Sequence, residues 1–160
     1  MSPWCRAVVP CLVLACAGLR DGVYVDGSTR FRIGALPPSW RQLRVSGNDV
    51  AFFSADHRNT LAVNATCVDH DDPPLDVLTR HLLMGFTERE TLTQTLEPLD
   101  GREALRTHLR ARLDGVAVEL ILVVLKKDGC VYDFTWVGRT SGQEQVFEQV
   151  LANFHAGAAS

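Results

Sequence analysis

No stretch of this 160-residue chain stays apolar for the roughly 20 residues that a membrane-spanning helix requires, so no such helix is expected. Basic residues are also scarce: 16 Lys and Arg stand against 19 Asp and Glu, a formal charge of −3. Non-specific affinity for nucleic acid comes from clustered Lys and Arg neutralising phosphates, and this balance gives no reason to expect a nucleic-acid partner. The P-loop, the Gly-rich dinucleotide turn and the serine-hydrolase elbow are missing. The five cysteines form no CxxC and the histidines no HxxxH, which removes the common zinc spacings. His57, His81, His108 and His155 are scattered and read as surface polar residues. The expectation is therefore no cofactor, no metal site and no catalytic residue.

What the chain does have is a run from Arg102 to Val137 that reads as three consecutive antiparallel strands. Leu105, Leu109, Ala111 and Leu113 alternate with Arg106, His108, Arg110 and Arg112, the period of a strand with unlike faces. Asp114-Gly115 suits the positive φ angles of a two-residue hairpin turn. Val116 to Leu125 then returns as a nearly all-apolar strand, which must be covered on both sides. Lys127-Asp128-Gly129 turns the chain into Cys130 to Trp136. One domain with its own core fits the length.

Upstream, Val23 to Val25 and Phe31 to Ile33 read as a hairpin around Asp26-Gly27-Ser28. Pro37 and Pro38 end it, and Trp40 is expected as a core anchor. Arg41 to Gly47 reads as a connection. Val50 to Ser54 and Thr60 to Thr66 form another strand pair. Asn64-Ala-Thr66 matches the glycosylation sequon, but on a strand it reads as coincidence. Leu75, Leu78 and Leu82 fall on one face of a helix that Asp72 can cap and Gly85 can end. Asp69, His70, Asp71 and Asp72 could approach a cation, yet neighbours in sequence do not converge without a special loop. Glu90 to Leu96 is a further strand, joined to the meander through the Pro98 to Gly101 turn. Ser141-Gly-Gln-Glu144 is a capping box, and it starts a helix presenting Val146, Phe147, Val150, Leu151 and Phe154 on one side.

Residues 1–15 resemble a secretory signal, with a short positive start and an apolar run too brief to span a bilayer. Val13-Leu14-Ala15-Cys16 resembles the bacterial lipobox, in which the cysteine becomes the lipidated first residue. Under that reading 16–22 is a lipidated N-terminus and short linker, 23–155 the domain, and 156–160 a frayed tail. An ordinary secretory signal and a buried N-terminal helix are the alternatives. Cys5 and Cys11 would leave with the signal, and Cys67 and Cys130 would remain as an even pair in an oxidising compartment. A disulfide between them follows naturally; two free buried thiols are the alternative.

Arg106, His108, Arg110 and Arg112 make the strongest electrostatic feature, able to receive an anion or an acidic partner. Arg110 stands opposite Glu119 in the hairpin register, so the row also reads as a self-paired strand face. Tyr132, Phe134 and Trp136 share one face, expected to pack under a helix or to line an aromatic groove. Asp133 points the other way.

The order of elements, with Phe31-Arg-Ile33, Pro37 and Trp40, Gly101-Arg-Glu-Ala104 before the meander, and Val146 to Phe154 as the last helix, resembles the PsbP-like superfamily. That superfamily includes photosystem II extrinsic proteins, a Ran-binding import factor and small bacterial lipoproteins. The resemblance spans Val23 to Phe154 and implies an α+β fold, an α/β/α sandwich on a central, mainly antiparallel sheet. The Phe31 to Trp40 spacing is one residue longer than the family's, and no functional surface of the family maps residue by residue. The expectation is a non-catalytic protein lipid-anchored on the periplasmic side of a bacterial membrane, serving an envelope protein partner. The alternative is a small-ligand carrier with an apolar pocket between sheet and helix; an enzyme ranks third.

Overall fold

The computed structural model describes residues 18–27, 29–67, 72–139 and 144–157. The leader, Cys16, the Asp69 to Asp71 cluster and Ser141 of the capping box lie outside them. Strand and turn chemistry set the elements in order: β1 (Gly18–Arg20), β2 (Val23–Asp26), β3 (Thr29–Arg32), β4 (Trp40–Leu43), β5 (Val50–Ser54), β6 (Asn59–Thr66) and α1 (Leu75–Leu82). Then follow β7 (Phe86–Leu99), β8 (Arg102–Leu113), β9 (Val116–Lys127), β10 (Cys130–Gly138), α2 (Gln145–Ala152) and β11 (His155–Ala156). Four tight turns, Asp21-Gly22, Asp100-Gly101, Asp114-Gly115 and Asp128-Gly129, have positive φ at both residues. Such turns match the right-handed twist of their strands and join them without a longer loop.

The strands form two antiparallel sheets, one of seven in the order β4-β5-β6-β10-β9-β8-β7 and one of four in the order β1-β2-β3-β11. The meander expected from Arg102 onward is the centre of the larger sheet, with Leu105 opposite Val124 and Arg110 opposite Glu119. One face of that sheet meets α1: Leu109, Ala111, Leu120 and Leu122 pack with Leu83. The other supplies Ile121, Val123, Leu125, Tyr132, Phe134 and Trp136 to a larger core. That core is closed by Phe147, Val150, Leu151 and Phe154 and by Tyr24 and Phe31 of the smaller sheet. Burying a side chain the size of Phe31 or Phe154 contributes roughly 1.5–3 kcal/mol, which makes this aromatic layer the main seam of the molecule.

Six expectations need correction. The chain is α+β, but a simple helix/sheet/helix layering is too coarse, because an eight-residue helix cannot span a seven-stranded sheet and β1, β2, β3 and β11 share the second layer with α2. Residues 18–22 are no linker: β1 pairs with β2 from Gly18 to Arg20 through the Asp21-Gly22 turn. There a Cβ on Gly22 would lie 2.6 Å from the Gly34 backbone. Ala156 is no frayed tail, since it pairs with Phe31, and Gly157 donates its N–H to Arg30 at 2.8 Å. Trp40 to Leu43 is an edge strand paired with β5, although only Trp40 is buried, so its sequence carries no alternation. The strand expected at Glu90 to Leu96 runs from Phe86 to Leu99, with register shifts at Thr87/Glu90 and Thr91/Thr93 that break its period. Helix α1 begins at Pro74 with no side-chain cap; Asp72 instead accepts Lys126 Nζ at 2.6 Å.

Candidate functional site

The basic row is engaged within the chain. Arg106 reaches across to α2, donating to Glu148 from both terminal nitrogens, one of them at 3.2 Å, and stands 3.5 Å from Glu97. Its guanidinium lies 6.0 Å from the Phe147 ring centroid. Burial pushes the Arg106 pKa down, but Glu148 and Glu97 outweigh it and hold the group above its ordinary value. His108 Nε2 is 2.5 Å from Glu119 Oε1, although Arg110 is the residue directly opposite Glu119. Arg110 instead approaches Glu90 at 4.0 Å, and Arg112 donates to Glu88 at 2.9 Å and to the Gly115 carbonyl at 2.6 Å. With an acidic partner for each base, little unbalanced positive charge is left for an external anion. The row acts in part as the clamp that seats α2 on the sheet.

The aromatic trio is sealed rather than open. Tyr132 and Phe134 make edge contacts with Phe154 at 5.1 and 4.8 Å between centroids, and Trp136 is 1% exposed. A Cβ on Gly138 would lie 2.3 Å from the Trp136 ring, so the strand end needs glycine for the indole to fit. Ser54 Oγ, Asn59 and Trp136 Nε1 are buried here with no hydrogen-bond partner, a cost that the surrounding packing does not explain.

Cys67 and Cys130 are joined by a disulfide, with Cα atoms 4.2 Å apart. The bond sits where β6 ends and β10 begins, beside the Val131 and Thr66 pair. At the neighbouring end of the sheet Asp100 gathers three partners. Lys127 Nζ donates at 2.8 Å, the Ala156 N–H at 2.8 Å, and His155 Nδ1 lies at 3.1 Å. Burial pushes the Asp100 carboxyl up, yet these partners together hold it below the usual range.

Concavities lie on both sides of the larger sheet. An open groove of about 750 Å³ runs between β1 and the β4–β5 connection, with Leu19, Arg20, Leu43 and Arg44 on its walls and Tyr24 and Asp49 among its lining. The Tyr24 hydroxyl donates to Asp49 Oδ1 at 3.3 Å, and burial, with Asp49 and Asp26 nearby, pushes that phenol up to about 12. On the opposite side of the larger sheet a half-open pocket of about 160 Å³ lies under α1, lined by Thr66, Leu78, His81, Leu82, Val124, Val131 and Asp133. A polar chain connects the two. Asn64 Nδ2 donates to Asp133 Oδ1 at 2.8 Å, the Asp49 N–H donates to Asn64 Oδ1 at 3.0 Å, and the Ala65 N–H donates to Asp49 Oδ2 at 2.8 Å. Burial is the largest influence on Asp133 and pushes it up to about 6, with Asp49 adding and Asn64 opposing.

Sequence reasoning placed Asp133 on the face away from the aromatic trio but missed Asn64 and Asp49. The sequon that includes Asn64 drew attention for an unrelated reason, and only strand pairing brings Asn64 beside Asp133. Among the described residues no three His, Cys, Asp or Glu side chains converge as metal ligands, and no helix is long and apolar enough to cross a membrane.

No protein-family model matches the chain, and no curated protein matches it in sequence. Solved structures do. The solution structure of cyanobacterial PsbP (CyanoP) from Synechocystis matches with a TM-score of 0.60 at 19% identity, covering 93% of this chain and 98% of that one. LpqN, described as involved in cell envelope biogenesis of Mycobacterium tuberculosis, matches with a TM-score of 0.57 at 16% identity, covering 81% and 84%. A Bacteroides thetaiotaomicron protein matches with a TM-score of 0.58 at 11% identity, covering 82% of this chain and 46% of its own. At such identities the likeness concerns the fold, and the fold is PsbP-like.

Proposed function

We propose that this PsbP-like chain is a non-catalytic accessory or assembly protein of the bacterial cell envelope, tethered by lipid on Cys16 to the periplasmic side of a membrane. The observation that carries the reading is the spacing between Cys16 and the fold. The first strand of the domain opens at Gly18, two residues after the lipobox-like cysteine, so acyl chains there would hold the folded body directly against a bilayer. Each buried methylene of such a chain contributes about 0.8 kcal/mol, and more than one chain makes the attachment stable. The Cys67–Cys130 bond suits an oxidising compartment, and the envelope role stated for LpqN belongs to a protein of the same fold. A sealed aromatic core and a self-paired basic row favour a packing and interaction module over a reacting site.

The test is metabolic labelling of the full chain with an alkyne fatty acid in a bacterial host, comparing wild type with Cys16→Ser. Label on the wild type alone, and a mature mass starting at an acylated Cys16, are expected; an unlabelled wild type overturns the tether. In-cell cross-linking of the tagged, envelope-bound protein then tests the accessory role. One subunit of an envelope complex should be recovered in near-stoichiometric yield, and recovery of no protein partner overturns that role.

A further inference from the structure

Asp133 stands near the middle of the larger sheet, on the same strand face as Val131 and opposite Asn64. One oxygen accepts the Asn64 amide at 2.8 Å, and no donor among the described residues is bonded to the other. Leu78, His81 and Leu82 of α1 and Val124 and Val131 of the sheet line the space beside it. That second oxygen is not among the buried atoms that lack a partner, so it opens on the half-open pocket, where a cationic donor could reach it. The size of the space limits what that donor can be. An apolar cavity of about 150 Å³ takes benzene, and this pocket holds about 160 Å³.

We propose that the pocket under α1 binds a small organic amine, with its ammonium group on the free oxygen of Asp133 and a single ring or short branched chain between Leu78, Leu82, Val124 and Val131. The pocket lies on the sheet face away from the aromatic seam, so it can fill and empty without opening the main core. Nothing in this proposal depends on the lipid tether. The raised pKa of Asp133 agrees with the geometry, because an ammonium ion would supply the opposite charge that burial denies it.

The probe is benzylamine, titrated into the ¹⁵N-labelled full chain at about pH 7.5, with toluene as the uncharged ring of similar size. Saturable shifts are expected at the backbone amides of Leu78, Leu82, Val131 and Asp133. Asp133→Asn, which keeps an acceptor for Asn64, should weaken benzylamine roughly ten-fold or more and leave toluene unchanged, because a charge-assisted bond is lost and the ring contacts stay. Val131→Phe, which fills the pocket, should abolish both. Benzylamine that leaves these amides unmoved, that binds Asp133→Asn as tightly as wild type, or that binds no tighter than toluene overturns the proposal. Should Asp133→Asn not fold, undiminished benzylamine binding to Val131→Phe overturns it equally.

Discussion

Asp133 and Asp100 are carboxylates partly withdrawn from water, and the fold moves their pKa values in opposite directions. Asp100 has a lysine, a backbone N–H and a histidine around it, so it adds stability that is present above its unfolded pKa and lost as pH falls through its lowered folded value. Asp133 has one amide and a neighbouring like charge, and its folded pKa of about 6 lies above the ordinary carboxylate value of 3.8. Its sign is reversed: the folded state holds the proton more tightly, so stability is full below pH ~4 and declines as pH rises through about 6. Asp133→Asn should remove that decline and stabilise the protein at neutral pH by on the order of 2 kcal/mol, read as a urea midpoint raised at pH 7.5 and little changed at pH 4. A midpoint that falls at both values would show that the carboxylate is paired by a group not identified above. The facing of Asp133 was legible from strand alternation. Its partner was not, because Asn64 is brought beside it by a pairing between strands 69 positions apart.

At the level of elements, β8, β9 and β10 were legible because each strand agrees with its turn: unlike faces, an Asp-Gly hairpin, and an apolar run between covered faces. Strands β4 and β7 were harder to read because they are the sheet's two edges. Only Trp40 of β4 and Leu99 of β7 are buried, so neither strand shows an in–out pattern. The two register shifts in β7, Glu88 at φ 49° and Pro98, which lacks an N–H, also blunt its open edge against pairing with another chain. The disulfide does for β6 and β10 what no turn does, since it pins the start of one to the end of the other across a separation of 63 residues. On the chain-entropy account it contributes up to about 4 kcal/mol. Replacing both cysteines by serine should therefore lower the urea midpoint by a comparable free energy while leaving the far-UV spectrum in place. A loss under 1 kcal/mol would mean that the strand pairing already restricts the unfolded chain.

Across the whole molecule, the larger sheet is built mostly from neighbours in sequence, whereas the smaller one draws on both ends of the chain. Strands β1, β2 and β3 come from the front and β11 from the back, which is why the hairpin at Val23 was legible and its fourth strand was not. Tyr24, Phe31 and Ile33 are covered in part by Phe147, Leu151 and Phe154. A chain ending at Gly138 should accordingly fail to unfold cooperatively and should be cut rapidly by protease, as judged by near-UV dichroism and limited digestion. A cooperative transition in that fragment would show that the larger sheet stands alone. For a polypeptide synthesised front end first, this arrangement sets a finishing order. The leading hairpin waits with its aromatic side uncovered until the trailing dozen or so residues emerge, so a prematurely terminated copy stays recognisably incomplete to the cell's quality-control proteases.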